Sequence, residues 1–282
     1  MFDVTRSFYK SSPSYGGMLY AWFPSMHTRT DIILCGKQTK KELLLVVDAI
    51  YERLSYIEKL GNCYDADSEL ARLNRVAALR PQPVSCELYD MLAFCMDCHT
   101  RTDGFFDITV HSENYTPSTI SGIQLSSEAH TLFFQHSGIN INLSGFLKGY
   151  ALESIRELLQ LYGIEDALVN MGNSSILALG HHPLATGWRI GFEQGFVSNK
   201  GEKQEVLLKN ECLTVSGNDS LERKHIIAPY SGKLIEGKWM VAEVTESGAV
   251  GEILSTAWFA ADTYQQKLLE MEFHPRLILK LC

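Results

Sequence analysis

Between residues 167 and 245 the sequence strings together strand-like apolar segments with no helical pattern between them. They cover 167–171, 175–179, 188–192, 206–209, 213–216, 225–228 and 240–245. Parallel neighbours require a crossover of a dozen or more residues, usually a helix. Strands that follow one another without such crossovers therefore pair antiparallel, which places the chain in the α+β class. The helices sit elsewhere. In 41–60 the apolar residues Leu44, Val47, Ile50, Leu54 and Ile57 recur at helical spacing, and Gly61-Asn62 ends the run. A second helix is predicted over 85–100 with Leu88, Leu92, Cys95 and His99 on one face. A third covers 148–162, with Ile155, Leu158, Leu159 and Tyr162 inward, and a fourth, apolar nearly throughout, covers 249–261. Further strands are expected at 31–35, 131–134, 139–143 and 276–281, and an irregular polar stretch at 112–130.

The expected architecture is α+β: mixed, mainly antiparallel sheets with flanking helices in two closely packed lobes. Residues 1–25 read as an extended lead-in and 26–282 as a single domain. A chain of 282 residues has ample core. A net charge of −8 repels a phosphate backbone, so nucleic acid is not an expected partner. No stretch approaches the roughly 20 apolar residues that span a bilayer. Seven scattered cysteines, with no secretion signal or lipobox, read as reduced thiols and a cytoplasmic location.

Four segments can carry chemistry. In Asn142-Leu-Ser-Gly-Phe-Leu-Lys-Gly-Tyr150 a strand enters a glycine turn and then a helix, whose first amides attract an anion while Lys148 adds charge; an ordinary strand–helix turn reads the same way. In Gly251-Glu-Ile-Leu-Ser-Thr256 the side chains of Glu252 and Thr256 share one helix face, with Ser255 close by. Such oxygens suit Mg²⁺, although a solvated glutamate and a threonine bonded to its own helix would look alike. His225-Ile-Ile-Ala-Pro-Tyr-Ser-Gly232 places an imidazole at the start of a short strand, where it can accept a proton or simply be structural. Gly104-Phe-Phe-Asp-Ile-Thr109 offers aromatics beside a carboxylate, or plain core. The Cys95-Met-Asp-Cys98-His99 run matches a haem-attachment pattern, but it falls inside an amphipathic helix. His181-His182 lies in a proline-containing turn at the surface.

Together these segments resemble the ApbE-like family of FAD:protein FMN transferases, once called thiamine biosynthesis lipoproteins. The resemblance runs over Met26-His-Thr28; Tyr64-Asp-Ala-Asp-Ser-Glu-Leu-Ala-Arg-Leu-Asn74; Thr102-Asp-Gly-Phe-Phe-Asp-Ile-Thr-Val110; residues 141–151; Leu168-Val-Asn-Met-Gly172; Thr214-Val-Ser-Gly217; residues 225–232; and residues 251–256. It implies a T-fold-like α+β fold holding FAD, with Mg²⁺ or Mn²⁺ at its diphosphate. The implied metal ligands are the Leu147 carbonyl, Glu252, Thr256 and Ser255. FAD would contact Met26, Tyr64, Phe105, Phe106, Asp107, Ser144, Tyr150, His225 and Ile227. The implied reaction passes FMN to a threonine hydroxyl of an acceptor flavoprotein and releases AMP, with His225 or Asp107 taking the proton. Family members are often exported. The chain departs from the family pattern at Gly251-Glu252 (usually Ala-Asp), His27 (usually Gly), Asn142 (usually Asp) and Ala228 (usually Asp). These departures leave two alternatives open, a catalytically weakened FAD-binding paralogue and a hydrolase giving FMN and AMP.

Overall fold

The computed structural model describes residues 6–13, 15–192, 205–218, 225–237 and 239–281. The chain opens with β1 (Arg6–Ser12), β2 (Gly16–Ser25) and β3 (Thr28–Gly36), followed by α1 (Lys40–Gly61) and α2 (Glu69–Val76). β4 (Gln82–Pro83), α3 (Cys86–Arg101), a 3-10 turn (Thr119–Gly122), β5 (Ile123–Ser126) and β6 (Thr131–Phe134) come next. Then follow α4 (Leu147–Leu161), β7 (Asp166–Met171), β8 (Ser175–Leu179), β9 (Trp188–Gly191), β10 (Glu205–Leu208) and β11 (Glu211–Asn218). The chain ends with β12 (Ile227–Ala228), β13 (Lys233–Leu234), β14 (Trp239–Thr245), α5 (Gly248–Ala260), α6 (Thr263–Phe273) and β15 (Leu277–Leu281).

Eight strands form one sheet in the order β1-β2-β3-β7-β8-β11-β14-β15. Among the described residues every strand pairing is antiparallel. Helices α1, α4 and α5 cover one face over the main apolar core, and the β9–β10 hairpin covers part of the other over a smaller cluster around Trp188 and Leu208. Burial on both faces explains why all five residues of β8 are buried, as in a central strand. The region of α2, α3 and the three-stranded β4-β6-β5 sheet shares the main core. No helix among the described residues is long and apolar enough to cross a membrane.

Several features differ from the sequence expectations, and the stretch expected to be irregular at 112–130 contains a 3-10 turn and β5. Within the stretch expected as an extended lead-in, residues 6–25 form β1 and β2, an edge hairpin of the main sheet with Leu19, Ala21 and Phe23 in its core. The two short helices α2 and α6 were not anticipated. Residues 139–143 form no strand, because loops and side chains satisfy their backbone instead of a ladder. Asn74 takes both the N–H (2.9 Å) and the carbonyl (2.8 Å) of Ile141, the Ser112 hydroxyl accepts from Asn140 N–H (2.9 Å), and Asn142 N–H donates to the Ile108 carbonyl (2.8 Å). Of the strand expected at 225–228, only Ile227 and Ala228 pair.

Helix α4 meets the start of α5 at a pair of glycines. A Cβ on Gly149 would lie 2.1 Å from the Gly248 carbonyl oxygen, and one on Gly248 would lie 3.0 Å from that of Gly149. Backbone thus touches backbone: Gly149 accepts no side chain without displacing a helix, and one at Gly248 would require its neighbours to give by a few tenths of an ångström. Gly149→Ala is expected to cost about 1–3 kcal/mol by overpacking, read as a lower denaturation midpoint.

Glu243, on the helix-covered face of β14, is fully buried, and neither carboxylate oxygen has a hydrogen-bond partner among the described residues. Burial, and secondarily the nearby Glu270 carboxylate, push its carboxyl well above the ordinary range, so the folded chain favours the protonated form. The folded pKa lies above the unfolded one. The stabilisation tied to this proton is therefore complete below the unfolded value and lost as pH rises through the folded value. Glu243→Met is expected to stabilise the fold by about 1–3 kcal/mol, more at pH 8 than at pH 5, in urea denaturation at the two pH values.

Candidate functional site

A cavity of about 1140 Å³ opens where the turn before α4, the 104–111 loop, α5, the β9 strand and the 225–229 segment meet. Its entrance to α4 is built by residues 142–148. Asn142 Oδ1 accepts from Ser144 N–H (2.8 Å), the local bond that turns the chain, and its Nδ2 donates to the Tyr64 hydroxyl (2.9 Å). Gly145 lies flat against α5 and the loop: a Cβ there would be 3.5 Å from Thr256 Oγ1 and 3.6 Å from the Phe106 ring.

The loop wall is held from behind. Asp107 is 7% exposed, and its Oδ1 accepts from Thr109 N–H (2.7 Å) and the Thr109 hydroxyl (2.6 Å). Its Oδ2 accepts from the Tyr115 hydroxyl (2.9 Å), with His99 Nδ1 at 4.0 Å. Burial, then the adjoining Asp107 carboxylate, pushes the Tyr115 phenol up, so it stays a donor. The His99 ring bonds the Phe106 carbonyl at 2.9 Å, and Phe105 packs on Tyr230 with ring centroids 4.9 Å apart. His99, set aside with the haem-like pattern, thus fixes the loop that lines the cavity.

On α5, Glu252 is 4% exposed yet reaches the cavity wall with Thr256. Its Oε1 accepts from the Ser175 hydroxyl and lies 3.8 Å from Lys148 Nζ, which donates to Ser174 Oγ. Thr256 Oγ1 is 3.3 Å from Ser216 Oγ. His111 and Arg189 also line the wall. Partial desolvation lowers the His111 pKa, towards neutral imidazole. Arg189 stands 3.8 Å from Glu205. Among the described residues there is no cluster of three or more His, Cys, Asp or Glu side chains that would hold a metal by itself.

Of the residues proposed from sequence, Tyr64, Phe105, Phe106, Asp107, Ser144, His225, Ile227, Glu252 and Thr256 line this cavity. Four others do not. The Tyr150 hydroxyl donates to Glu87 Oε1 (2.8 Å) inside an Arg53–Glu87–Ser154 network, and burial with that carboxylate pushes its phenol up to about 12. Ser255 is fully buried against the sheet, 2.8 Å from Ser216 Oγ and bonded to the Glu252 carbonyl. The Leu147 side chain points into the core against Gly61, which leaves only its backbone for a ligand. Met26 occupies the two-residue β2–β3 turn, its N–H 3.2 Å from Glu58 Oε2. Both Met26 (φ 46°) and His27 (φ 57°) are left-handed there, as a primed hairpin turn demands, which gives a glycine at His27 an evident conformational use.

The Ser-Glu-Leu-x-x-Leu-Asn motif builds scaffold instead. Ser68 caps α2 through Ala71 N–H, Glu69 accepts from Ser85, Leu70 and Leu73 enter the core, and Asn74 clamps Ile141. Ser174 and Ser175 were missed, because nothing in two serines after a strand marks one as facing Lys148 and the other as facing the Glu252 carboxylate.

The ApbE family model matches residues 26–276. The FAD:protein FMN transferase of Vibrio cholerae is 23% identical over 243 residues, covering 76% of this chain and 72% of its own. That of Chlamydia muridarum is 24% identical over 268 residues, covering 82% and 78%. Among solved structures, the flavin transferase ApbE from Vibrio cholerae superposes with a TM-score of 0.77 at 20% identity, covering 98% of this chain and 93% of its own. The ApbE protein of Thermotoga maritima gives 0.78 at 21%, covering 94% of each. The fold is shared along nearly the whole length, and the chain belongs to the ApbE family.

Proposed function

We propose that this chain transfers FMN from FAD to a threonine hydroxyl of an acceptor flavoprotein and releases AMP. The supporting observation is that the turn at the head of α4 and the Glu252–Thr256 face of α5 line one cavity of about 1140 Å³, ample for a dinucleotide by the usual range of about 300–1,000 Å³ for ligand sites. Phe105 and Phe106 offer aromatic surface to a flat ring, and the head of α4 with Lys148 offers positive potential to a diphosphate.

A divalent cation fits the donor set. Glu252 and Thr256 supply a carboxylate and a hydroxyl oxygen on the cavity wall, the hard ligands that Mg²⁺ or Mn²⁺ accepts alongside phosphate oxygens and water. The backbone carbonyl of Leu147, beside Lys148 and Gly145, is the third proposed ligand. Ser255 is bonded away and is not included. When bound, such an ion supplies charge neutralisation at the diphosphate.

The chain's own groups do the rest. The acceptor Oγ attacks the phosphorus of the FMN half, the diphosphate P–O bond breaks, and AMP departs with the bridging oxygen. The proton from the hydroxyl passes to His225 and from there to the leaving phosphate or to solvent. His225 is the better base, because Asp107 already accepts three hydrogen bonds and serves to hold the loop. The cavity's fixed donors position the phosphate without reorganisation.

The test combines full-length protein, FAD, Mg²⁺ and an acceptor domain bearing the threonine motif. In-gel flavin fluorescence and chromatographic AMP are followed in one tube. Equal labelling and AMP are expected. AMP without labelling would instead establish hydrolysis by water, and FAD binding with neither product would establish a non-catalytic flavin carrier. His225→Ala is expected to lower kcat by about 100-fold or more with FAD affinity kept.

A further inference from the structure

On α5 the structure relates Gly251 to its neighbour Glu252. Gly251 faces the sheet: a Cβ on it would stand 2.6 Å from Thr245 Oγ1 and 2.7 Å from Thr214 Oγ1. Both distances are shorter than real contacts allow, so α5 lies against these threonines only because residue 251 is glycine. The next residue, Glu252, has one methylene more than aspartate and uses it to reach β8. There its Oε1 accepts from the fully buried Ser175 hydroxyl, while Lys148 on α4 stands 3.8 Å from the same oxygen. Two elements, β8 and α4, thus meet one carboxylate oxygen of α5. Among the described residues no hydrogen bond engages Oε2, and Glu252 lines the cavity.

We infer that Ser175 is the positioning residue that makes a glutamate competent at position 252. By fixing Oε1 from the sheet side, it converts a longer, more mobile side chain into a ligand with one presented oxygen near Thr256. Lys148 balances the charge from the α4 side. Gly251 belongs to the same adjustment, since it seats α5 where a glutamate can reach Ser175. This inference rests on the proposed cation site, to which it adds a positioning group on β8. Hydrogen-bond partners behind a ligand orient it, and removing one typically costs about 10–100-fold in metal affinity.

The experiment titrates Mn²⁺ into the FAD-saturated full-length protein, with free Mn²⁺ read by electron paramagnetic resonance and folding by circular dichroism. Ser175→Ala is expected to weaken Mn²⁺ binding about tenfold or more with the fold intact. Glu252→Asp, too short to hold the Ser175 contact, is expected to weaken it as well. The double variant is expected to be no worse than the poorer single, because both changes remove the same contact. Parent-like affinity in Ser175→Ala, or losses that multiply in the double variant, would overturn the inference alone. If Ser175→Ala fails to fold, parent-like affinity in Glu252→Asp overturns it. Failure of the parent to bind Mn²⁺ in the presence of FAD would remove the cation site and the inference together.

Discussion

The geometry of this molecule depends on a place where two helices touch with no side chain between them. Gly149 in the first turn of α4 and Gly248 at the start of α5 bring their backbones into contact. From that crossing the chain runs back through Lys148 and Gly145 to the glycine turn, and onward along α5 to Glu252 and Thr256. Both routes end on the wall of the same cavity. Side chains at the crossing would push the helices apart, and the amides of one helix head would no longer stand near the oxygens of the other. Close packing has no soft way to absorb such a change.

Around that crossing, many groups of catalytic type hold the walls rather than the ligand. Asp107 spends its lone pairs on Thr109 and Tyr115, His99 grips the Phe106 carbonyl, and Asn74 grips Ile141. The 104–111 loop and the 139–143 segment carry no strand ladder, so buried backbone groups there need these side chains as partners. Polar residues near a functional cavity thus divide into those that face it and those that replace missing secondary structure.

Glu243 shows the opposite economy. Its register partner on β11 is Thr214, whose hydroxyl is also without a partner among the described residues, and the same threonine fills the space beneath Gly251. A buried polar seam therefore runs between α5 and the sheet, behind the candidate site. It lowers stability relative to an apolar seam, and it lies beside the strand face that seats Glu252.

Local order was legible in the residues themselves. The stripe of Leu44, Val47, Ile50, Leu54 and Ile57 predicts α1 to within a residue or two, and the absence of crossover helices predicts an antiparallel sheet, because both follow from short-range periodicity and chain geometry. Segment 139–143 has strand-like residues and no ladder, since its pairing was decided by Asn74, sixty-seven positions away from Ile141. The same limit governed the site. Spacing alone could put Glu252 and Thr256 on one helix face. Spacing could not tell that Ser255 turns to the sheet, that the Tyr150 hydroxyl serves Glu87, or that Ser175 meets Glu252. Those outcomes depend on how helices and sheet are rotated against one another. That rotation is set by steric contacts between distant segments, such as Gly149 on Gly248, which no local pattern encodes.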